Sequence, residues 1–239
     1  MNATASALKR IQQHIETLNC PDQKLALRAE GYLMRYYGSR SLEPLMTACD
    51  HPNYIVRFRA AWALAHTHDP RAYETLLHLT RDPAPEVRYD ATLGLGILGD
   101  ERAIEPLIEL MSTPDLEHYV DSAAAMGLER LGEPAVPALT PLLQSATPSV
   151  RVTVAYTLGG IGDTSAIEPL SRLLLEEEDD LRIAGIESLA DIGTAECLAL
   201  IQPSLNDVSE RVRERTPPTG VKTSQQSVSK CRQNSTIVI

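Results

Sequence analysis

Apolar residues recur along this chain at helical spacing, and the pattern itself repeats. In "VRFRAAWALA", Val56 to Ala65, the roughly 100° step of a helix puts Val56, Ala60, Ala63 and Leu64 on one face. The same arrangement returns as "VRYDATLGLGILGD" from Val87, "VDSAAAMGLERLGE" from Val120, "VRVTVAYTLGGIGD" from Val150 and "LRIAGIESLADIGT" from Leu181. A weaker copy starts at Ala26, and "VRER" at Val212 begins a further one that Thr216-Pro217-Pro218 cuts off. Each copy runs on into a second apolar segment, such as "AIEPLIELM" or "AIEPLSRLLL", through a Gly-Asp turn like Gly99-Asp100 or Gly162-Asp163. Glycine takes the positive φ that ends a helix and aspartate caps the next. Two short helices per unit cannot bury their own apolar face, but a stack of such hairpins can. The pattern predicts an all-α, right-handed α-solenoid of about six short helical hairpins over residues 24–215. Residues 1–23 add a capping helix with Leu8, Ile11, Ile15 and Leu18 on its apolar side. Residues 216–239, polar and without period, are expected to be a disordered tail.

One column departs from a generic repeat. The single Phe and the single Trp, Phe58 and Trp62, point about 180–220° away from Val56 on the helical wheel. The place of Phe58 reads Tyr89, Ser122, Val152 and Ile183 in later copies; that of Trp62 reads Leu93, Met126, Tyr156 and Glu187. Two readings stand. Either these groups pack on adjacent repeats, or they form a docking surface for a flat ligand or a partner protein.

A second column is basic: Arg57, Arg88, Arg151, Arg182 and Arg213 hold one place in successive copies. Asp82, Ser145, Glu176 and Asp207 stand six residues before the last four of these. A loop acid or hydroxyl facing the next helix's guanidinium would tie one hairpin to another. The copy from Val120 breaks the series with Asp121. His66 and His68 lie at a helix end, where a dipole role is expected and no third ligand suggests a metal.

The net charge of −10 argues against a nucleic-acid partner, the more so because Lys222, Lys230 and Arg232 lie in an acid-free last segment. No apolar run reaches the length of a membrane span, and no signal peptide precedes the first helix. The four cysteines are far apart and read as free thiols, so a cytoplasmic protein is expected. No nucleophile elbow or phosphate loop is present, and no residue is assigned a catalytic role.

The unit seen in "VRYDATLGLGILGDERAIEPL" and "VRVTVAYTLGGIGDTSAIEPL" resembles the short HEAT repeat of the phycobilisome lyase type, over about residues 24–215. Related repeats of the deoxyhypusine hydroxylase family carry His-Glu pairs for a di-iron centre. This chain has no His-Glu dipeptide, so a metal-dependent hydroxylase is not expected. Bilin lyases of the E/F type place aromatics in this column, in runs similar to "VRFRAAWALA". That resemblance implies a lyase subunit that binds a linear tetrapyrrole, a phycocyanobilin-like bilin, and attaches it to or removes it from a phycobiliprotein. It implies no other cofactor. A second HEAT-repeat subunit is implied as a partner. The residues it points to are Phe58, Trp62, Tyr89 and Tyr156 as walls beside Leu93 and Met126, Arg59 for the propionates, and Asp90 or Asp121 for the pyrrole N–H groups. The alternative is a non-catalytic scaffold whose same column grips a protein.

Overall fold

The structure is a computed structural model and describes residues 3–37, 40–113 and 119–218. All regular structure among them is helical, and the chain divides at Leu131/Gly132 into two compact units, each a stack of hairpins.

Unit 1 opens with α1 (Ala3–Thr17), followed by α2 (Gln23–Tyr32), which runs into a π-helical turn at Leu33–Tyr37. Then short and long helices alternate: α3 (Leu42–Ala48), α4 (Tyr54–Ala65), α5 (Tyr73–Leu79), α6 (Pro85–Leu98), α7 (Ile104–Ser112) and α8 (Val120–Leu131). The long helices pack in sequence, α4 on α6 and α6 on α8. α1 packs on α2 and α3: Ile11, Ile15 and Leu18 are buried, and the His14 ring stacks on Tyr32 at 5.0 Å. Leu8 is the exception on its expected apolar side, since it stays half exposed.

Unit 2 holds α9 (Val136–Leu139), α10 (Pro148–Ile161), α11 (Ile167–Ser171), α12 (Asp179–Ile192), α13 (Ala195–Ile201) and α14 (Glu210–Arg215). Its short helices tighten into 3₁₀ turns at Thr140–Gln144, Arg172–Leu175 and Gln202–Asn206. Pro141 and Pro203 stand at the start of two of these, where proline's missing N–H withholds the next α-helical bond. The truncated copy at Val212 is thus a real helix, with Val212 buried. The boundary expected at residue 216 falls within the described residues. Thr216 is buried and its hydroxyl donates to the Val212 carbonyl, while residues 219–239 lie outside the described part.

The Gly-Asp turns work as their chemistry requires. Gly99 and Gly162 sit at φ 77° and 79°, and the Asp100 and Asp163 carboxylates accept the N–H groups of Arg102 and Ser165. The core is narrow and made of small residues where long helices cross. A Cβ added to Gly96 would lie 2.3 Å from the Gly127 Cα, and one on Gly159 would lie 2.7 Å from the Ser188 Cα.

The basic column is an interlock rather than a set of surface charges, and its pairing differs from the expected one. Each loop acid turns its carboxylate back to the arginine of the preceding copy and its carbonyl to the arginine of its own. Asp82 takes Arg57 at 2.7 and 2.8 Å, and its carbonyl accepts from Arg88 at 3.1 Å. Asp207 takes Arg182 at 2.9 and 3.0 Å, and its carbonyl accepts from Arg213 at 2.6 Å. Glu176 pairs with Arg151, and its carbonyl accepts from Arg182 at 2.8 Å. Ser145 does not contribute to such a pair; its hydroxyl accepts from Thr147 N–H, and Arg151 reaches the Leu143 carbonyl instead.

Candidate functional site

In α4 the core side is filled by Val56, Ala60, Ala61, Ala63 and Leu64, all buried. Phe58 and Trp62 lie off this small and aliphatic side, and both are half-buried. Trp62 lies against His66, centroids 4.7 Å apart, and His66 Nδ1 sits 2.9 Å from the Trp62 carbonyl. This histidine is the C-cap residue of α4.

Around Arg59 charged groups gather from α2, α4 and α6. Arg59 of α4 holds its guanidinium carbon 5.6 Å from the Phe58 ring centre. One of its Nη atoms donates to the Leu18 carbonyl at 2.8 Å, which pins the cap to α4. Glu30 of α2 and Asp90 of α6 are within electrostatic reach of each other, and Glu30 also feels Arg59. Burial pushes the Glu30 carboxyl up to about 7, Arg59 pulls against that rise, and Asp90 adds to it. Burial alone pushes Asp90 up to about 6. Two half-buried acids whose carboxyls burial raises, one of them within electrostatic reach of Arg59, form a cluster able to exchange protons with a ligand or accept its N–H groups.

The remaining residues of the column separate. Tyr89 is half-buried and its hydroxyl lies 4.0 Å from the Met126 sulfur; Met126 itself is 40% exposed. Leu93, at 6% exposure, is buried and does not line the face. Asp121 belongs to the register of the arginine column, and its carboxylate is engaged by the Ser122 N–H at 2.8 Å. Tyr156 lies in unit 2, where its hydroxyl donates to Glu187 at 2.9 Å and Glu187 accepts from Arg215 at 2.8 Å. Burial and the Glu187 carboxylate both push the Tyr156 phenol upward. Glu30 and Arg215 are residues that the repeat pattern did not single out, and Glu187 stood in the Trp62 column without an assigned role. Glu30 sits in the weak first copy, whose register places Ala29 opposite Arg59.

Among the described residues no group of three or more His, Cys, Asp or Glu is arranged to hold a metal ion. None of their helices is long and apolar enough to cross a membrane. Cys49 and Cys197 are buried free thiols and Cys20 is partly exposed.

Comparison with known proteins matches this architecture. Among solved structures, the chain is similar to YibA of Escherichia coli, with 16% identity, a TM-score of 0.51 and coverage of 90% of this chain and 85% of that one. It is also similar to the karyopherin Kap121p, solved with the extreme C-terminus of the phosphatase Cdc14p bound. There the identity is 18% and the TM-score 0.54, over 86% of this chain and 28% of that one. A third is the complex of CpcE and CpcF of phycocyanin lyase from Nostoc sp. PCC7120, with 21% identity and a TM-score of 0.48 over 86% of this chain and 91% of that one. These likenesses concern the fold. No curated protein matches the chain. The family description "HEAT repeats" matches residues 42–118 and 115–190, more than half of the sequence. The chain belongs to the HEAT-repeat family.

Proposed function

We propose that this HEAT-repeat protein is a binding subunit of the phycobilin-lyase type, receiving a linear tetrapyrrole, or the phycobiliprotein that carries it, on the aromatic face of unit 1. The observation that supports the reading is the grouping of Phe58 and Arg59 with the raised carboxyls of Glu30 and Asp90. A flat conjugated ligand stacks on rings, its propionates pair with a guanidinium, and its pyrrole N–H groups donate to carboxylates. The choice of a bilin over other flat ligands rests on the resemblance of "VRFRAAWALA" and its repeat unit to lyase sequences.

A second reading, a protein scaffold without a chromophore, is favoured by Met126. An exposed methionine packed beside Tyr89 gives an adaptable apolar surface suited to a protein partner.

Trp62 distinguishes the two, because the chain has no other tryptophan. Phycocyanobilin is titrated into the purified protein while Trp62 emission and the bilin band are followed together. Saturable quenching with a shifted band, weakened in Tyr89→Ala and Asp90→Asn, is the expected result. Absence of saturable quenching, with an apo-phycobiliprotein subunit still shifting Trp62 emission, would leave the scaffold reading in its place.

A further inference from the structure

Unit 2 carries a groove of about 700 Å³ between α10, α12 and α14, large enough to take several side chains of an extended segment. Its floor includes Val152, Tyr156 and Ile183, and carboxylates from two helices, Glu178, Asp180, Glu187 and Glu214, stand around it with Arg211 and Arg215. Both arginines are already committed. Arg211 pairs with Asp180 at 2.7 Å and Arg215 with Glu187 at 2.8 Å. Glu187 is further held by the Tyr156 hydroxyl, so its two oxygens are occupied and fixed. Glu178 and Glu214 make no ion pair with any described residue, and both are exposed. The groove therefore presents apolar footing flanked by two uncompensated negative charges.

We propose that this groove binds an extended basic peptide segment of a partner protein, an apolar side chain resting on Val152 and Tyr156 while flanking Lys or Arg side chains meet Glu178 and Glu214. Charge complementarity selects this occupant: an acidic segment would face two unpaired carboxylates, and an uncharged one would leave them unanswered. The inference uses unit 2 alone and does not depend on what unit 1 binds.

The probe is a fluorescein-labelled synthetic peptide in which Leu alternates with Lys and Arg, compared with versions carrying Glu and Asp or Ser in the basic positions. Binding to the full chain is read by fluorescence anisotropy at low and physiological ionic strength. The basic peptide is expected to bind saturably, and the Glu178→Lys/Glu214→Lys variant to lose about tenfold in affinity, with the Glu74→Lys/Glu105→Lys control in unit 1 unchanged. Both glutamates are exposed, so the double variant should keep the wild-type circular dichroism spectrum. Equal binding by the acidic or the Ser peptide, unchanged affinity in the double variant, or no saturable binding of the basic peptide would each overturn the proposal.

Discussion

Arg182 grips Asp207, 25 residues further along the chain, with two parallel hydrogen bonds of 2.9 and 3.0 Å, while the Asp207 carbonyl accepts from Arg213. One loop residue thus joins two successive helices, by its side chain to the first and by its backbone to the second. Arg57, Asp82 and Arg88 repeat the arrangement in unit 1. The planar guanidinium is what makes this work, since it offers a fork to the carboxylate and further donors to loop carbonyls.

Replacing that fork should be costly even when the charge is kept. Arg182 also donates to the Glu176 and Glu177 carbonyls and to Asp179, and its side chain is only 10% exposed. Arg182→Lys is expected to lower unfolding stability by about 2 kcal/mol, and Arg182→Ala by about 3–4 kcal/mol because Asp207 is left without its partner. Arg172→Ala serves as the comparison. Its pair with Glu168 is exposed on both sides and should cost less than about 1 kcal/mol in the same urea titration.

The pH dependence of stability follows from two sets of carboxyls shifted in opposite directions. Glu30 and Asp90, raised by burial to about 7 and about 6, bind a proton more tightly folded than unfolded. Their contribution is complete below the unfolded values and is lost as pH rises through the folded ones, so stability should climb as pH falls from 8 toward 5. The gain is expected to be on the order of 3 kcal/mol after allowing for screening and for the coupling between the two acids. For Asp82 and Asp207, burial pushes upward but the arginine and backbone hydrogen bonds outweigh it, so both are lowered. Their contribution is present above the unfolded range near 4 and is lost as pH falls further. Thermal melts should therefore peak near pH 5. Glu30→Gln/Asp90→Asn should flatten the neutral limb and leave the acid limb in place.

The repeat was legible because several copies restate it: the Val-Arg start, the small residues of the helix crossing, and the Gly-Asp turn each recur. What repetition could not show is which residues meet across copies. The acid six residues before an arginine looked like its partner, yet a helical stack brings its carboxylate to the arginine 25 residues before it. Leu93 shared a column with Trp62, but small neighbours let α6 sink almost wholly into the core, and Leu93 went with it. Glu30 was invisible for the opposite reason. It lies where the first copy is least like the others, next to a π-helical turn that breaks the common register.

Two glycines separate close packing from mere permissiveness. Gly96 faces the Gly127 backbone, where a new Cβ would stand 2.3 Å from Cα and 2.4 Å from the carbonyl oxygen. Backbone cannot rotate away as a side chain can, so Gly96→Ala must push α6 and α8 apart. A loss of about 3 kcal/mol or more is expected. Gly31 lies inside α2 with nothing within 4 Å of an added Cβ and no positive φ. Gly31→Ala should instead stabilise by about 0.5–1 kcal/mol, through the smaller entropy lost on folding. Guanidinium midpoints measured on the two variants should move in opposite directions, and movement in the same direction would contradict the crossing geometry.

The thiols provide a probe of local opening in each unit. Cys49 follows α3 in unit 1 at 1% exposure, and burial and the nearby Asp50 charge both push its thiol upward, away from the reactive thiolate. Cys197 on α13 in unit 2 is fully buried and lies 3.1 Å from the Thr194 hydroxyl. Cys20 is partly exposed. With Cys231→Ser to remove the thiol outside the described residues, a thiol reagent at pH 8 should label Cys20 in a fast phase. Cys49 and Cys197 should follow only as their helices open. Destabilising unit 1 with Gly96→Ala should speed the Cys49 phase, whereas Arg182→Lys should speed that of Cys197. Peptide mass mapping at timed quenches assigns the phases, and fast native labelling of Cys49 would contradict its burial at the end of α3.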